Sequence, residues 1–175
     1  MASKGVQWGT PPRWLHRDPK VYQFQATNFF MWVGSGLLGD DVGLGKTFAA
    51  LILHRVLLDR GEGPAIVVCQ STQKYGWREE YLESFGAGEA GKVVVIDGSR
   101  EERAHQWEVA IRRRAPLVVI NPESLRPVVR RRKGKQAAIV SDGDLPIARK
   151  WVEEVKPAVI FFDEASAYLR NSTSG

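Results

Sequence analysis

Gly36-Leu37-Leu38-Gly39-Asp40-Asp41-Val42-Gly43-Leu44-Gly45-Lys46-Thr47 is the stretch on which the reading of the whole chain turns. A short apolar segment precedes a glycine-rich loop ending in Gly-Lys-Thr, and apolar Phe48-Ala49-Ala50-Leu51 follows it. The pattern predicts a strand over 36–39, a loop, and then a helix. Phosphate binding uses that order: the strand fixes the loop, the loop turns its backbone N–H groups inward, and the helix N-terminus adds partial positive charge. In such a loop Lys46 reaches the β- and γ-phosphates of a nucleotide and Thr47 ligates Mg²⁺. Asp41, Gly43, Leu44 and Gly45 complete the expected ATP-contacting set. The strict phosphate-loop pattern is not met, because Asp40 stands where its first glycine belongs. The plainer alternative is a surface turn.

Outward from this stretch, composition sets the class. At 175 residues, with 43% hydrophobic and 26% charged side chains, the chain reads as one globular domain; neither disorder nor a fibrous class is indicated. A net charge of +5 favours polyanionic partners without proving one. The single cysteine, Cys69, excludes an internal disulfide and suits a small buried hydrophobe in a reducing compartment. The N-terminus lacks a signal-peptide core and no 18-residue apolar run occurs, so a soluble, intracellular protein is expected.

Residues 1–20 carry Trp8, Trp14, Pro11, Pro12 and Pro19 and predict an irregular segment packing by its aromatics; residues 21–175 form the domain proper. A helix is expected over 21–33, with Phe29, Trp32 and Val33 at helical spacing. Gln25, near its start, has the two-sided amide that can read an adenine edge. Beyond the loop, helices are expected over 47–60, closed by Gly61, and over 74–85, with Trp77, Tyr81 and Phe85 on one face. A third begins at Ser99-Arg100-Glu101-Glu102, which has capping-box spacing, and runs to about 114; a fourth spans 146–156. Between them, 65–69, 92–96, 117–120 and 158–162 are continuous apolar runs, the mark of buried parallel strands. The alternation predicts an α/β fold with a parallel sheet. One dense charge run, with Arg130, Arg131, Arg132 and Lys133 at its heart, is either a solvated loop or a strip that contacts a phosphate backbone.

Nucleotide hydrolysis needs an acid at the end of a buried strand to hold Mg²⁺ and a second carboxylate to position and deprotonate water. Asp163 and Glu164, after the apolar run 158–162, supply the metal partner and the base. The alternative is an Asp-Glu pair that merely caps a following helix.

Together these residues resemble the SWI/SNF-type branch of superfamily 2 helicase-like ATPases. The loop of that branch typically reads Asp-Glu-Met-Gly-Leu-Gly-Lys-Thr, similar to Asp40-Asp41-Val42-Gly43-Leu44-Gly45-Lys46-Thr47, so Asp40 is expected there. Gln25 resembles the adenine-reading glutamine upstream of the loop. Ile66-Val67-Val68-Cys69 with Trp77-Arg78-Glu79-Glu80-Tyr81 is similar to the next motif, and Val119-Ile120-Asn121-Pro122-Glu123-Ser124-Leu125 stands where the branch has a motif near DNA. Asp163-Glu164-Ala165-Ser166 resembles the Asp-Glu-Ala-His box, with Ser166 in place of His. The resemblance covers about residues 21–171. It implies a RecA-like lobe with helices on both faces of a parallel sheet, binding of ATP and Mg²⁺, and a duplex-DNA track. It also implies a second lobe that supplies the arginines stabilising the transferred phosphoryl group, which places this chain as a first lobe, incomplete after the Asp-Glu box.

The leading expectation is therefore the ATP-binding portion of a DNA-dependent translocase, whole or split between chains. A binding module that regulates or blocks a partner without hydrolysing ATP is the alternative, and a small kinase is a third. Fold resemblance further places a strand between 36–39 and 158–162. With no apolar run left after 162 to form it, the slot is expected to be filled by another chain, by a rearranged strand order, or by residues 1–20.

Overall fold

The computed structural model describes residues 14–39, 43–130 and 138–164. In chain order these form α1 (Val21–Val33), α2 (Lys46–Asp59), β1 (Ala65–Val68), α3 (Lys74–Phe85), β2 (Val93–Val95), α4 (Arg100–Arg112), β3 (Leu117–Ile120), α5 (Pro122–Leu125), β4 (Val128–Arg130), β5 (Ala138–Ser141), α6 (Leu145–Val155) and β6 (Val159–Phe162). Four strands make one sheet in the order β2-β3-β1-β6, every neighbouring pair parallel. β1 lies at its centre, with Ala65 level with Leu117 on one side and Val159 on the other.

The two-residue period of the strands divides the core. Ile66, Val68, Val118 and Ile120 point to one face and pack beneath Trp107 of α4 and Trp151 of α6. Ala65, Val67, Leu117 and Val119 point to the other, beneath Leu51 of α2 and Trp77, Tyr81 and Phe85 of α3. Helices thus cover both faces of a parallel α/β sheet, as expected. Strands buried on both sides need no polar alternation, which is why they read as unbroken apolar runs.

Local signals fix the helix ends. Ser99 Oγ accepts from Glu102 N while Glu102 Oε2 accepts from Ser99 N, completing the capping box that starts α4. α2 closes on Gly61, whose φ of 71° lets Gly61 N donate to Leu58 O and Glu62 N to Leu57 O. Residues 14–20 pack as an irregular cover: Trp14 meets the Phe85 ring edge-on, and His16 N donates to Ser84 O. The rest of the expected N-terminal segment, 1–13, lies outside the described residues.

Two expectations are corrected. Residues 36–39 form no strand, and Leu37 is 82% exposed. Two leucines between glycines give little β-propensity, and no described strand lies beside β6 on its far edge to pair with them. Within the described sheet β6 is therefore an edge, with Ile160 and Phe162 exposed where α4 and α6 do not reach. Among the described residues no strand pairs with the outer edge of β6. The second correction concerns the flanks of the charge run, where no strand is expected: Val128–Arg130 and Ala138–Ser141 pair as the antiparallel strands β4 and β5.

Candidate functional site

The phosphate-loop candidate is held from below by a helix. α1 buries Gln23, Thr27 and Met31, three positions four residues apart, against α2. Phe29, Trp32 and Val33, the apolar residues at helical spacing, are exposed. The buried stripe is partly polar because it bonds to backbone. Gln23 Nε2 donates to Leu44 O at 3.1 Å and Gly45 O at 3.4 Å, its Oε1 accepts from Lys20 N at 2.9 Å, and Thr27 Oγ1 donates to Gln23 O at 3.0 Å.

Gln23 thus latches the end of the loop. Gln25 is exposed on α1, about 200° around the helix from Gln23, and among the described residues the amide bonded to the loop is that of Gln23. The 23/27/31 spacing was the signal available in the sequence, outweighed there by the aromatic residues.

Gly43 and Gly45 have φ of 87° and 73°. A Cβ on Gly45 would stand 2.5 Å from Gln23 Nε2, so the latch requires glycine on both conformational and steric grounds. Lys46 and Thr47 are the first two residues of α2, as expected, and Asp41 lies outside the described residues. Among the described residues no side chain caps α2, and its first turn holds no acidic residue. Its leading N–H groups and positive dipole end therefore form an anion-accepting terminus. These donors fit a nucleotide's phosphates, and the oxygen donors Thr47 and Asp163 fit Mg²⁺, which takes oxygen ligands and completes its shell with phosphate and water.

Asp163 follows β6 directly, its N donating to Val68 O at 2.9 Å. β6 packs through Val159 and Phe161 on the same apolar cluster as Phe48 and Ile52 of α2, so the acidic box and the loop share one supporting helix. The Trp77 indole Nε1 donates to Asp163 Oδ2 at 2.9 Å. The sequence puts Trp77 on one helix face with Tyr81 and Phe85 and gives no sign of this bond. Glu164 is exposed with φ of 55°, a left-handed conformation that costs a non-glycine residue roughly 1 kcal/mol or more. Cys69, between β1 and α3, is buried as expected; burial first, and then the nearby Asp163 carboxylate, pushes its thiol up to about 12.

A cavity of about 320 Å³ opens at the C-terminal ends of β1, β2 and β3, lined by Ser71, Lys74, Asp97, Arg103, Asn121 and Ser124. Lys74 is 2% exposed, and Nζ donates to Asp97 Oδ1 at 2.6 Å and to Ile96 O and Asn121 Oδ1 at 3.0 Å each. The Lys74 hydrogen bond holds the Asp97 carboxyl below the usual carboxylate range. Asn121 Nδ2 donates in turn to Glu123 Oε2, which lowers the Glu123 pKa. Arg103 grips the buried Asp144 through two nitrogens at 2.7 and 3.1 Å, joining α4 to the start of α6. Of the basic run, Arg130 ends β4, and Arg131, Arg132 and Lys133 lie outside the described residues.

No family model matches the chain. Over 104 residues it is 35% identical to the chromodomain-helicase-DNA-binding protein 1-like of Mus musculus, covering 56% of this chain and 11% of that protein. Over 139 residues it is 24% identical to the ISWI chromatin-remodeling complex ATPase ISW1 of Saccharomyces cerevisiae, covering 67% of this chain and 12% of that protein. The chain thus spans about an eighth or less of the curated relatives it matches. Among solved structures, the Sulfolobus solfataricus SWI2/SNF2 ATPase core in complex with dsDNA superposes with a TM-score of 0.54 at 19% identity, covering 87% of this chain and 33% of that one. That likeness shows the fold. The sequence matches support the resemblance to the SWI/SNF-type branch of superfamily 2 ATPases.

Proposed function

We propose that this chain, similar in sequence to SWI/SNF-type helicase-like ATPases and folded like their first RecA-like lobe, binds Mg-ATP as the N-terminal portion of a translocase working on duplex DNA. The observation that carries the reading is the start of α2: Lys46 and Thr47 follow a left-handed Gly45 latched by Gln23, on a helix terminus that no described side chain caps and whose first turn holds no acid. Gly43, Leu44 and Gly45 contribute backbone around the phosphates, with Asp41 ahead of them, and Lys46 places a positive charge on the β- and γ-phosphates. Thr47 and Asp163 would hold Mg²⁺, which would supply positive charge beside the transferred phosphoryl group. Glu164 orients the attacking water and takes its proton. Gln23, rather than Gln25, is the amide at the loop, and its role is to fix the loop's shape.

Nucleic acid belongs on the other side of the reading. The solved SWI2/SNF2 core with this fold is a complex with dsDNA. The run Arg130 to Lys133 carries charge suited to sequence-independent contact with a phosphate backbone, whereas in the cavity at the ends of β1 to β3 Lys74 and Arg103 are already paired with carboxylates.

Lys46→Ala tests the nucleotide assignment. Calorimetric titration with a non-hydrolysable ATP analogue and Mg²⁺ is expected to give saturable binding in the unaltered chain and none in the variant. Equal affinity in the two would overturn the assignment.

A further inference from the structure

Asp163 is held from two directions. Its backbone N–H is bound to Val68 O of the central strand, and its Oδ2 accepts from the Trp77 indole at 2.9 Å. Trp77 cannot easily turn away. It is 5% exposed, and its ring stacks on Phe161, two residues before Asp163, at an interplanar angle of 24° and a centroid separation of 6.2 Å. One turn earlier, on the same helix α3, Lys74 is fixed to Ile96, Asp97 and Asn121 at the ends of β2 and β3. The N-terminal turn of α3 is therefore pinned across the whole edge of the sheet, and it carries one N–H group aimed at one carboxylate oxygen.

A carboxylate with one oxygen occupied by a fixed donor has its rotamer set and its remaining lone pairs directed. Partners of this kind, outside the ligands themselves, orient metal-binding groups and tune them. Resting on the Mg-ATP reading above, we propose that Trp77 is a positioning residue for Asp163: its indole N–H fixes the orientation in which Asp163 meets Mg²⁺. The ring's packing is a separate contribution, so the two can be dissected. Trp77→Phe keeps an aromatic ring against Phe161 and deletes the N–H.

The test titrates Mg²⁺ into the chain with a non-hydrolysable ATP analogue, following nucleotide binding by calorimetry, with an EDTA arm for metal-free affinity. Trp77→Phe is expected to raise the half-saturating Mg²⁺ concentration about tenfold, to leave metal-free nucleotide affinity unchanged, and to add nothing when Asp163 is already Ala. An unshifted Mg²⁺ dependence in Trp77→Phe overturns the proposal, as does an equal loss of metal-free binding or a loss that persists in the Asp163→Ala background. If the unaltered chain binds no nucleotide, or binds it without regard to Mg²⁺, the reading beneath falls and the positioning role falls with it.

A measurement without mutation of Trp77 guards against a variant that does not fold. In the ¹⁵N-indole spectrum of the unaltered chain, the Trp77 signal, assigned through its contacts to Phe161, is expected to move when Mg²⁺ joins the nucleotide complex and to move again in Asp163→Ala. An indole signal indifferent to both overturns the proposal.

Discussion

His54 sits in α2 with no solvent exposure, and neither ring nitrogen has a hydrogen-bond partner. Burial, reinforced by Arg55, lowers its pKa from 6.5 to about 3, so it is neutral in the fold. In the unfolded chain the ring protonates at its ordinary value. Between those two values the unfolded state holds the extra proton, so stability is full above pH 6.5 and falls as the pH drops toward 3, by up to about 1.4 kcal/mol per unit. Urea unfolding at pH 7.5 and 5.5 is expected to show a loss of about 1 kcal/mol, and His54→Leu is expected to remove most of it. Identical pH profiles for the two chains would mean that other groups set the acid sensitivity. Gln23 gives the contrasting case of a buried polar residue with its amide engaged, and the difference is functional: its bonds shape the loop, whereas His54 only fills space.

Among the elements, β6 carries the greatest contrast between support and exposure. One of its edges pairs with β1, and Val159 and Phe161 lie on the apolar cluster beneath α2, yet Ile160 and Phe162 are 50% and 61% exposed. An edge strand opens at lower free energy than the strands inside a sheet, because fewer bonds and contacts are lost. Amide hydrogen exchange is expected to be faster over Val159–Phe162 than over β1 and β3. Protection of β6 equal to that of β1 would show that its outer edge is paired in solution. α3 behaves in the opposite way: its buried face was readable from Trp77, Tyr81 and Phe85, but the bonds of Lys74 and Trp77 at its first turn were not, since every partner lies more than twenty residues away. The hairpin β4–β5 escaped the sequence reading for a related reason. Dense charge hides β-propensity in its flanks, and strand pairing is a property of two segments together.

For the molecule as a whole, the proposed reading predicts binding without fast chemistry. A transition-state arginine contributes roughly 10³–10⁵ in rate, and the resemblance implies that a second lobe supplies it. Purified chain is therefore expected to hydrolyse ATP far more slowly than about 1 s⁻¹, with or without duplex DNA. Addition of the complementing lobe is expected to raise the rate. Turnover above that value from the chain by itself, measured by phosphate release, would require an arginine supplied from within.

The long helices and the four strands of the parallel sheet followed from the sequence by itself, because unbroken apolar runs, helical spacing and the Ser99–Glu102 cap are local signals read over a few residues. So did the positions of Lys46 and Thr47 at the start of a helix and of Asp163 at the end of a strand, since glycine geometry and the end of an apolar run mark them. Tertiary structure alone decided which of two glutamines meets the loop, whether 36–39 has a strand to pair with, and that an indole reaches Asp163. Each of those depends on which segments lie side by side, and in those places a contact between distant residues outweighs local preference: Gln23 is buried because Leu44 and Gly45 need its amide, while Phe29 and Trp32 are left in solvent.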